Sequence, residues 1–269
     1  MQEVAWAAFF LVILIGCSLA GWASQRLLKE HHKSSATTDS ARTIVGMVVT
    51  FSALVLGLLV TSVKSDFDDH TGVYRRYGIA LFEFDRRLQE YGPDTDAIRK
   101  TLRAYTASVI ADTWPDEPAP AGDYPRDVHP VTPGSDETAE FTTMMTQMDR
   151  ATLKLAATDA LHLRLADLLR EEVRAIEGIR WSLIERSDSR LSPILMAVLM
   201  FWLAIVFLVF GMVSPRNRLT LFVLILSALS VASSLYLILD LNTTTGGFIT
   251  VPSRPLRDAL WHMDQGGGA

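Results

Sequence analysis

The sequence predicts an all-α membrane protein with four transmembrane helices and a soluble helical insert between the second and third spans. Four apolar runs, at about residues 4–23, 43–63, 192–213 and 219–241, each approach the ~20 residues a helix needs to cross the hydrocarbon core. Between them, residues 64–191 turn polar while apolar side chains recur at helical spacing, with no alternating strand pattern. The whole chain is 49% hydrophobic with mean hydropathy +0.23, high for a soluble domain of 269 residues. Composition also excludes several classes. A net charge of -5 leaves no basic footprint for nucleic acid. Cys17 is the single cysteine, so neither an intramolecular disulfide nor a thiolate metal cluster can form.

The first run carries Trp6 and Trp22 near its ends, where aromatic rings favour the membrane interface. Leu14-Ile15-Gly16-Cys17 is similar to a lipoprotein cleavage box, but Met1-Gln2-Glu3 lacks the positive segment of a signal peptide and the apolar run continues past Cys17. It therefore reads as an uncleaved span. In the loop that follows, His31 and His32 point about 100° apart on a helix and have no third ligand, so they read as solvated rather than metal-binding.

The second run passes through Lys64 into charged residues with no helix breaker at the boundary, so one helix is expected to leave the membrane and enter the insert. Its span has two unlike faces. Gly46, Thr50, Ala53, Gly57 and Thr61 make a small, weakly polar stripe; Phe51, Leu54, Val55 and Leu58 make a bulky one. A small stripe suits close helix packing in lipid, where association relies on contact rather than on expelling water; a pore lining is the alternative. Beyond the span, Asp66, Asp68, Asp69 and His70 cannot wrap a cation from one helix and lack a calcium loop with its Gly turn. Ile79, Leu81, Phe82, Phe84, Leu88 and Tyr91 predict continued burial until Gly92-Pro93 ends the helix.

In the insert, Asp94 is the expected N-cap of a helix carrying Ile98, Leu102, Tyr105 and Val109, which should stop near Trp114-Pro115. Pro115, Pro118, Pro120, Pro125, Pro130 and Pro133 mark residues 115–133 as a loop or linker, in which His129 has no role assigned. Ser135 can cap a third helix with Phe141, Met145 and Met148 on its apolar face, and residues 158–190 predict a long amphipathic helix through Leu161, Leu165, Leu168, Ile176, Ile179 and Leu183.

Pro193 suits the start of the third span, and Ser214-Pro215-Arg216-Asn217-Arg218 is a tight basic turn into the fourth. Ser227, Ser230 and Ser234 share a face of that span and are expected to meet another helix. Asp240 lies at its end, within reach of interfacial water, and the lack of mid-span ionisable groups disfavours a proton-coupled transporter. In the tail, residues 242–269, Ser253 is the expected N-cap of a short helix with Leu256, Leu260 and Met263 on one side. Arg254, Arg257 and Trp261 fit contact with the lipid interface or with an anion, and docking on the protein's own surface fits equally. The expected domains are thus a first membrane hairpin (1–63), the insert (64–191), a second hairpin (192–241) and the tail.

Glu30-His31-His32, Ala53-Leu54-Val55-Leu56-Gly57-Leu58-Leu59-Val60, Lys64-Ser65-Asp66-Phe67-Asp68, Tyr91-Gly92-Pro93, Pro215-Arg216-Asn217 and residues 251–260 together resemble the bacterial bestrophin-like family of unknown function, over nearly the whole chain. The resemblance implies a four-span protein of the bacterial cytoplasmic membrane with a soluble helical insert. It further implies distant kinship to bestrophins, which are pentameric anion channels whose second membrane helix lines a hydrophobic neck. On that kinship Phe51, Leu54 and Leu58 are candidates for a pore constriction, while Gly46, Thr50, Ala53, Gly57, Ser227, Ser230 and Ser234 are candidates for helix packing within or between copies. The chain keeps leucines where aromatic neck residues would stand, and has no acidic run like the bestrophin calcium clasp.

Three function classes follow: an oligomeric ion pore, a non-conducting scaffold or envelope sensor whose insert binds a partner, and an enzyme. The last is disfavoured, since the sequence has no His-Glu-x-x-His, no Gly-x-Ser-x-Gly and no phosphate loop, and calls for no cofactor. Topology sets two rules against each other. Arg26, Lys29, Lys33, Arg42, Arg216 and Arg218 lie in the short loops and place them in the cytoplasm, so that the insert faces outward; kinship to bestrophins places it inside. With Cys17 replaced and one cysteine introduced at Ser135, an impermeant maleimide should label intact cells if the charge rule holds. Protection of that cysteine would place the insert in the cytoplasm.

Overall fold

The computed structural model describes residues 2–25, 35–126, 139–156, 159–187, 193–215, 217–243 and 247–266. Among them are eight α-helices and no strand: α1 (Gln2–Ser24), α2 (Ser35–Tyr91), α3 (Asp96–Thr113), α4 (Ala139–Leu153), α5 (Ala160–Ser187), α6 (Pro193–Val213), α7 (Arg218–Leu241) and α8 (Arg254–Gln265). Four of these, α1, α2, α6 and α7, are long and apolar enough to cross a membrane. α2 runs unbroken for 57 residues: no proline interrupts it, and its apolar half, though rich in β-branched residues, can satisfy its backbone in lipid only as a helix. The chain divides into two compact units, residues 1–67 with 190–250 and residues 68–189 with 251–269.

In the first unit α1 packs on α6 and α7. Phe10 and Leu14 of α1, Leu59 and Val63 of α2, Leu199, Leu203 and Phe207 of α6, and Ala228, Leu235 and Ile238 of α7 form its core. α1 and α6 cross backbone to backbone. A Cβ built on Gly21 would stand 2.0 Å from the carbonyl oxygen of Leu208, and one on Gly211 would stand 2.1 Å from that of Ser18. Hydrogen at both positions is what permits this approach, which maximises dispersion contact where water-driven association is absent. Gln25 then caps α6: its Nε2 lies 3.0, 2.9 and 2.7 Å from the carbonyl oxygens of Gly211, Met212 and Ser214, groups that a helix end leaves without partners. Asn217 opens α7 by accepting the Thr220 N–H at 2.7 Å.

One expectation is corrected here. Asp240 does not reach out to water. It is buried, and its carboxylate accepts the backbone N–H groups of Phe248 (2.7 Å) and Ile249 (2.9 Å) and the Tyr236 hydroxyl (3.2 Å), tying down the segment after α7. Ser227 and Ser234 do not bond across to another helix within the chain. Their hydroxyls turn back to the carbonyls of Val223 and Ser230 on their own helix, the usual way a span satisfies a serine.

The second unit is built on the later part of α2. Tyr77, Leu81, Phe84, Leu88 and Tyr91 meet Leu102, Tyr105 and Ile110 of α3, Met145 and Met148 of α4, and Leu165, Leu169, Val173 and Ile176 of α5. Leu161 is exposed, so the buried stripe of α5 is rotated from the predicted one toward Leu169 and Val173. Ile79 is also exposed. Asp94 lies within a 3-10 turn, Pro93–Thr95, and Thr95 takes the N-cap position of α3, its hydroxyl donating to the carbonyls of Leu88 and Gly92 instead of capping. Gly92 allows this reversal with φ 110°, a left-handed conformation that side chains resist. Asp159 caps α5 through the His162 N–H at 2.8 Å, and that bond holds its carboxyl below the usual carboxylate range. Asp85 is buried but satisfied, by Arg99 at 2.9 Å and Gln89 at 2.6 Å. The hydroxyls of Tyr77 and Tyr105 meet in the core, and burial pushes the Tyr105 phenol up.

α8 resolves the two readings of the tail in favour of docking on protein. Leu256, Ala259, Leu260 and Met263 are buried in the core of the second unit. Ser253 occupies the N-cap position but makes no capping bond; its hydroxyl goes to Glu117 instead. Arg257 reaches the same Glu117 at 3.0 Å and the carbonyl of Pro118 at 2.9 Å, so it anchors the helix to the proline-rich loop. That loop is ordered as far as it is described: Trp114 Nε1 donates to Val251 O at 2.8 Å, and Ser108 to Pro125 O at 3.0 Å. Ser135, His129, His31, His32, Arg26, Lys29, Lys33 and Arg216 lie outside the described residues.

Candidate pore-lining helix

The sequence-derived candidates converge on the span part of α2. Its buried side holds Val45, Ser52, Leu59 and Val63, which recur at helical spacing, and Leu59 and Val63 join the core of the first unit. The opposite side is open. Phe51, Leu54 and Leu58 are 61%, 60% and 63% exposed, and a Cβ added to Gly46 or Gly57 would meet nothing within 4 Å. Thr50, Ala53 and Thr61 share this exposure. The two threonine hydroxyls donate to the carbonyls of Gly46 and Gly57, each at 2.9 Å, so the small stripe is polar in composition yet already satisfied.

The small residues and Phe51, Leu54 and Leu58 thus point away from this chain's own core, whereas Val55 of the bulky face is partly buried against it. Ser227 and Ser230 of α7 are exposed and Ser234 half-buried; the residues that pack from that helix are Ala228, Ala232 and Leu235. Sequence reasoning missed the crossing at Gly21 and Gly211, for which glycine near the end of each run was the available signal. It also missed the buried Ser52, whose hydroxyl has no hydrogen-bond partner. Arg254 and Arg257 do not act alike: Arg257 is held by Glu117, whereas Arg254 is 85% exposed beside Asp258 at 3.5 Å. Among the described residues no three His, Cys, Asp or Glu side chains gather as a metal site.

The described residues are helical, with four membrane-length helices of which the second continues unbroken into a helical insert, and this is the architecture of a bestrophin-type fold. A family model describing a bestrophin-like domain matches residues 11–256, and the chain belongs to the bestrophin-like family. Crystal structures of a bacterial bestrophin homologue from Klebsiella pneumoniae are similar in fold. A tryptophan-to-alanine variant of that protein aligns with TM-score 0.68 at 14% identity, covering 100% of this chain and 99% of the other. A leucine-to-threonine variant gives 0.67 at 16% over 98% and 99%, and an isoleucine-to-threonine variant 0.65 at 16% over 97% and 99%. No curated relative matches the chain.

Proposed function

We propose that the protein assembles into a homo-oligomeric ion pore of the bacterial cytoplasmic membrane that passes anions, with the span part of α2 from each copy lining the path. The observation that carries this reading is the unpartnered face of α2, where Phe51, Leu54 and Leu58 stand exposed beside a stripe of glycine, alanine and threonine. A lipid-facing surface has no need of such a stripe, whereas a neighbouring helix can lie close against it. Four spans do not enclose a wide aqueous path alone, so a pore requires several copies. Membership of the bestrophin-like family supports a pentamer and a preference for anions in this reading, which assigns no catalysis and no cofactor. Leu54 and Leu58, one turn apart, would form stacked apolar rings about the axis, with Phe51 close by; such rings gate by excluding water.

A non-conducting scaffold is the second reading, favoured by Leu163 and Trp181, large apolar side chains left exposed on α5. Purified wild-type protein in liposomes separates the two. Chloride flux above that of empty liposomes, together with a single oligomer by native mass spectrometry in nanodiscs, is the expected result. A monomer in every detergent and in nanodiscs would remove both the assembly and the pore built from it.

A further inference from the structure

Within the second unit, an open groove of about 590 Å³ lies between α2 and α8. The two helices touch at one end of it, where a Cβ on Gly78 would stand 2.5 Å from the carbonyl oxygen of Pro255, and its apolar lining includes Ile79, Phe82 and Pro255. Ile79 is 51% exposed, an uncommon state for isoleucine on a helix whose neighbouring apolar residues, Leu81 and Phe84, are wholly buried. One wall is aromatic, with the His262 ring 5.1 Å from that of Phe82 and 4.8 Å from that of Trp261.

The rim is cationic. Arg75 makes no ion pair among the described residues, and Arg254 has only the loose, exposed contact with Asp258, a pairing worth little in water. Two guanidinium groups against one carboxylate leave the mouth with a net positive charge. Guanidinium presents paired donors that match a carboxylate, and the volume of the groove lies within the range of small-molecule sites, roughly 300–1,000 Å³. An inorganic anion would use the rim and ignore the floor; a neutral apolar molecule would do the reverse.

We propose that this groove binds a small organic carboxylate bearing an aromatic or branched apolar body, its head on Arg75 and Arg254 and its body on Ile79, Phe82 and Pro255. The site is independent of conduction, and its test reads binding alone. 4-Phenylbutyrate is titrated calorimetrically into full-length protein in nanodiscs, with empty nanodiscs subtracted, beside butyrate and 4-phenyl-1-butanol. Saturable binding with Kd below about 1 mM is expected for phenylbutyrate, and at least about tenfold weaker binding for each of the others. Arg75→Gln with Arg254→Gln should weaken phenylbutyrate at least about tenfold, while Arg75→Lys with Arg254→Lys, which keeps the charge but loses the paired donors, should bind more weakly than the wild type and more tightly than the glutamine variant. Absence of saturable heat in the wild-type assembly overturns the proposal, including the case in which a neighbouring copy covers the groove. So does equal affinity for butyrate and phenylbutyrate, or a glutamine variant that binds as the wild type does.

Discussion

Leu54→Ala combined with Leu58→Ala is expected to raise anion flux in proteoliposomes by severalfold or more while leaving the assembly intact. An ion entering a narrow apolar ring loses hydration and gains no ligands, so water leaves the ring and conduction stops. In the proposed pore, shortening two stacked leucines should widen and wet that segment. Had these leucines filled the core of the helix bundle, each truncation would instead cost roughly 2–5 kcal/mol by opening a cavity. They do not: both are about three-fifths exposed, so the folded chain itself should tolerate the change. Flux is to be measured over a range of voltages and anions, with oligomer size checked on the same preparation. An assembled double mutant that passes no more than empty liposomes would count decisively against α2 as the neck.

Gly211→Val should prevent stable folding of the first unit. The added Cβ would stand 2.1 Å from the carbonyl oxygen of Ser18, 2.9 Å from its carbon and 3.1 Å from the Trp22 nitrogen, all backbone atoms on a rigid helix. No rotamer change can relieve such a contact, so α1 must move away from α6 and surrender the packing around Leu14 and Phe207. The loss should exceed the ~1–3 kcal/mol typical of overpacked cores, and it should appear as aggregation or a sharply lowered melting midpoint in detergent. Gly57→Ala is the matched control. Nothing lies within 4 Å of its added Cβ, so the chain should fold normally; if copies meet along this stripe, the oligomer alone should weaken. A Gly211→Val protein that melts with the wild type would mean that α1 and α6 do not cross here.

The four spans and the unbroken α2 were legible in the amino-acid sequence because the bilayer acts on each helix separately. A run of about 20 apolar residues satisfies its backbone only as a helix, whatever its neighbours do. The helices of the insert were legible for a related reason, since apolar residues such as Leu102, Met145 and Ile176 repeat with the helical period and amphipathicity is a local property. The resemblance carried by residues such as Tyr91-Gly92-Pro93 extended this reading to the family. Tertiary structure alone decided which groups meet. Gln25 caps carbonyls 186 to 189 residues away, Asp240 takes amides across a loop, and α8 buries its apolar face in protein although its composition suited lipid equally. Within the membrane-length helices, Gly21 and Gly211 proved to be the glycines that a partner helix approaches, while Gly46 and Gly57 look outward. A sequence shows that a glycine permits close approach; only the partner helix, brought there by the packing of the whole bundle, determines whether anything approaches.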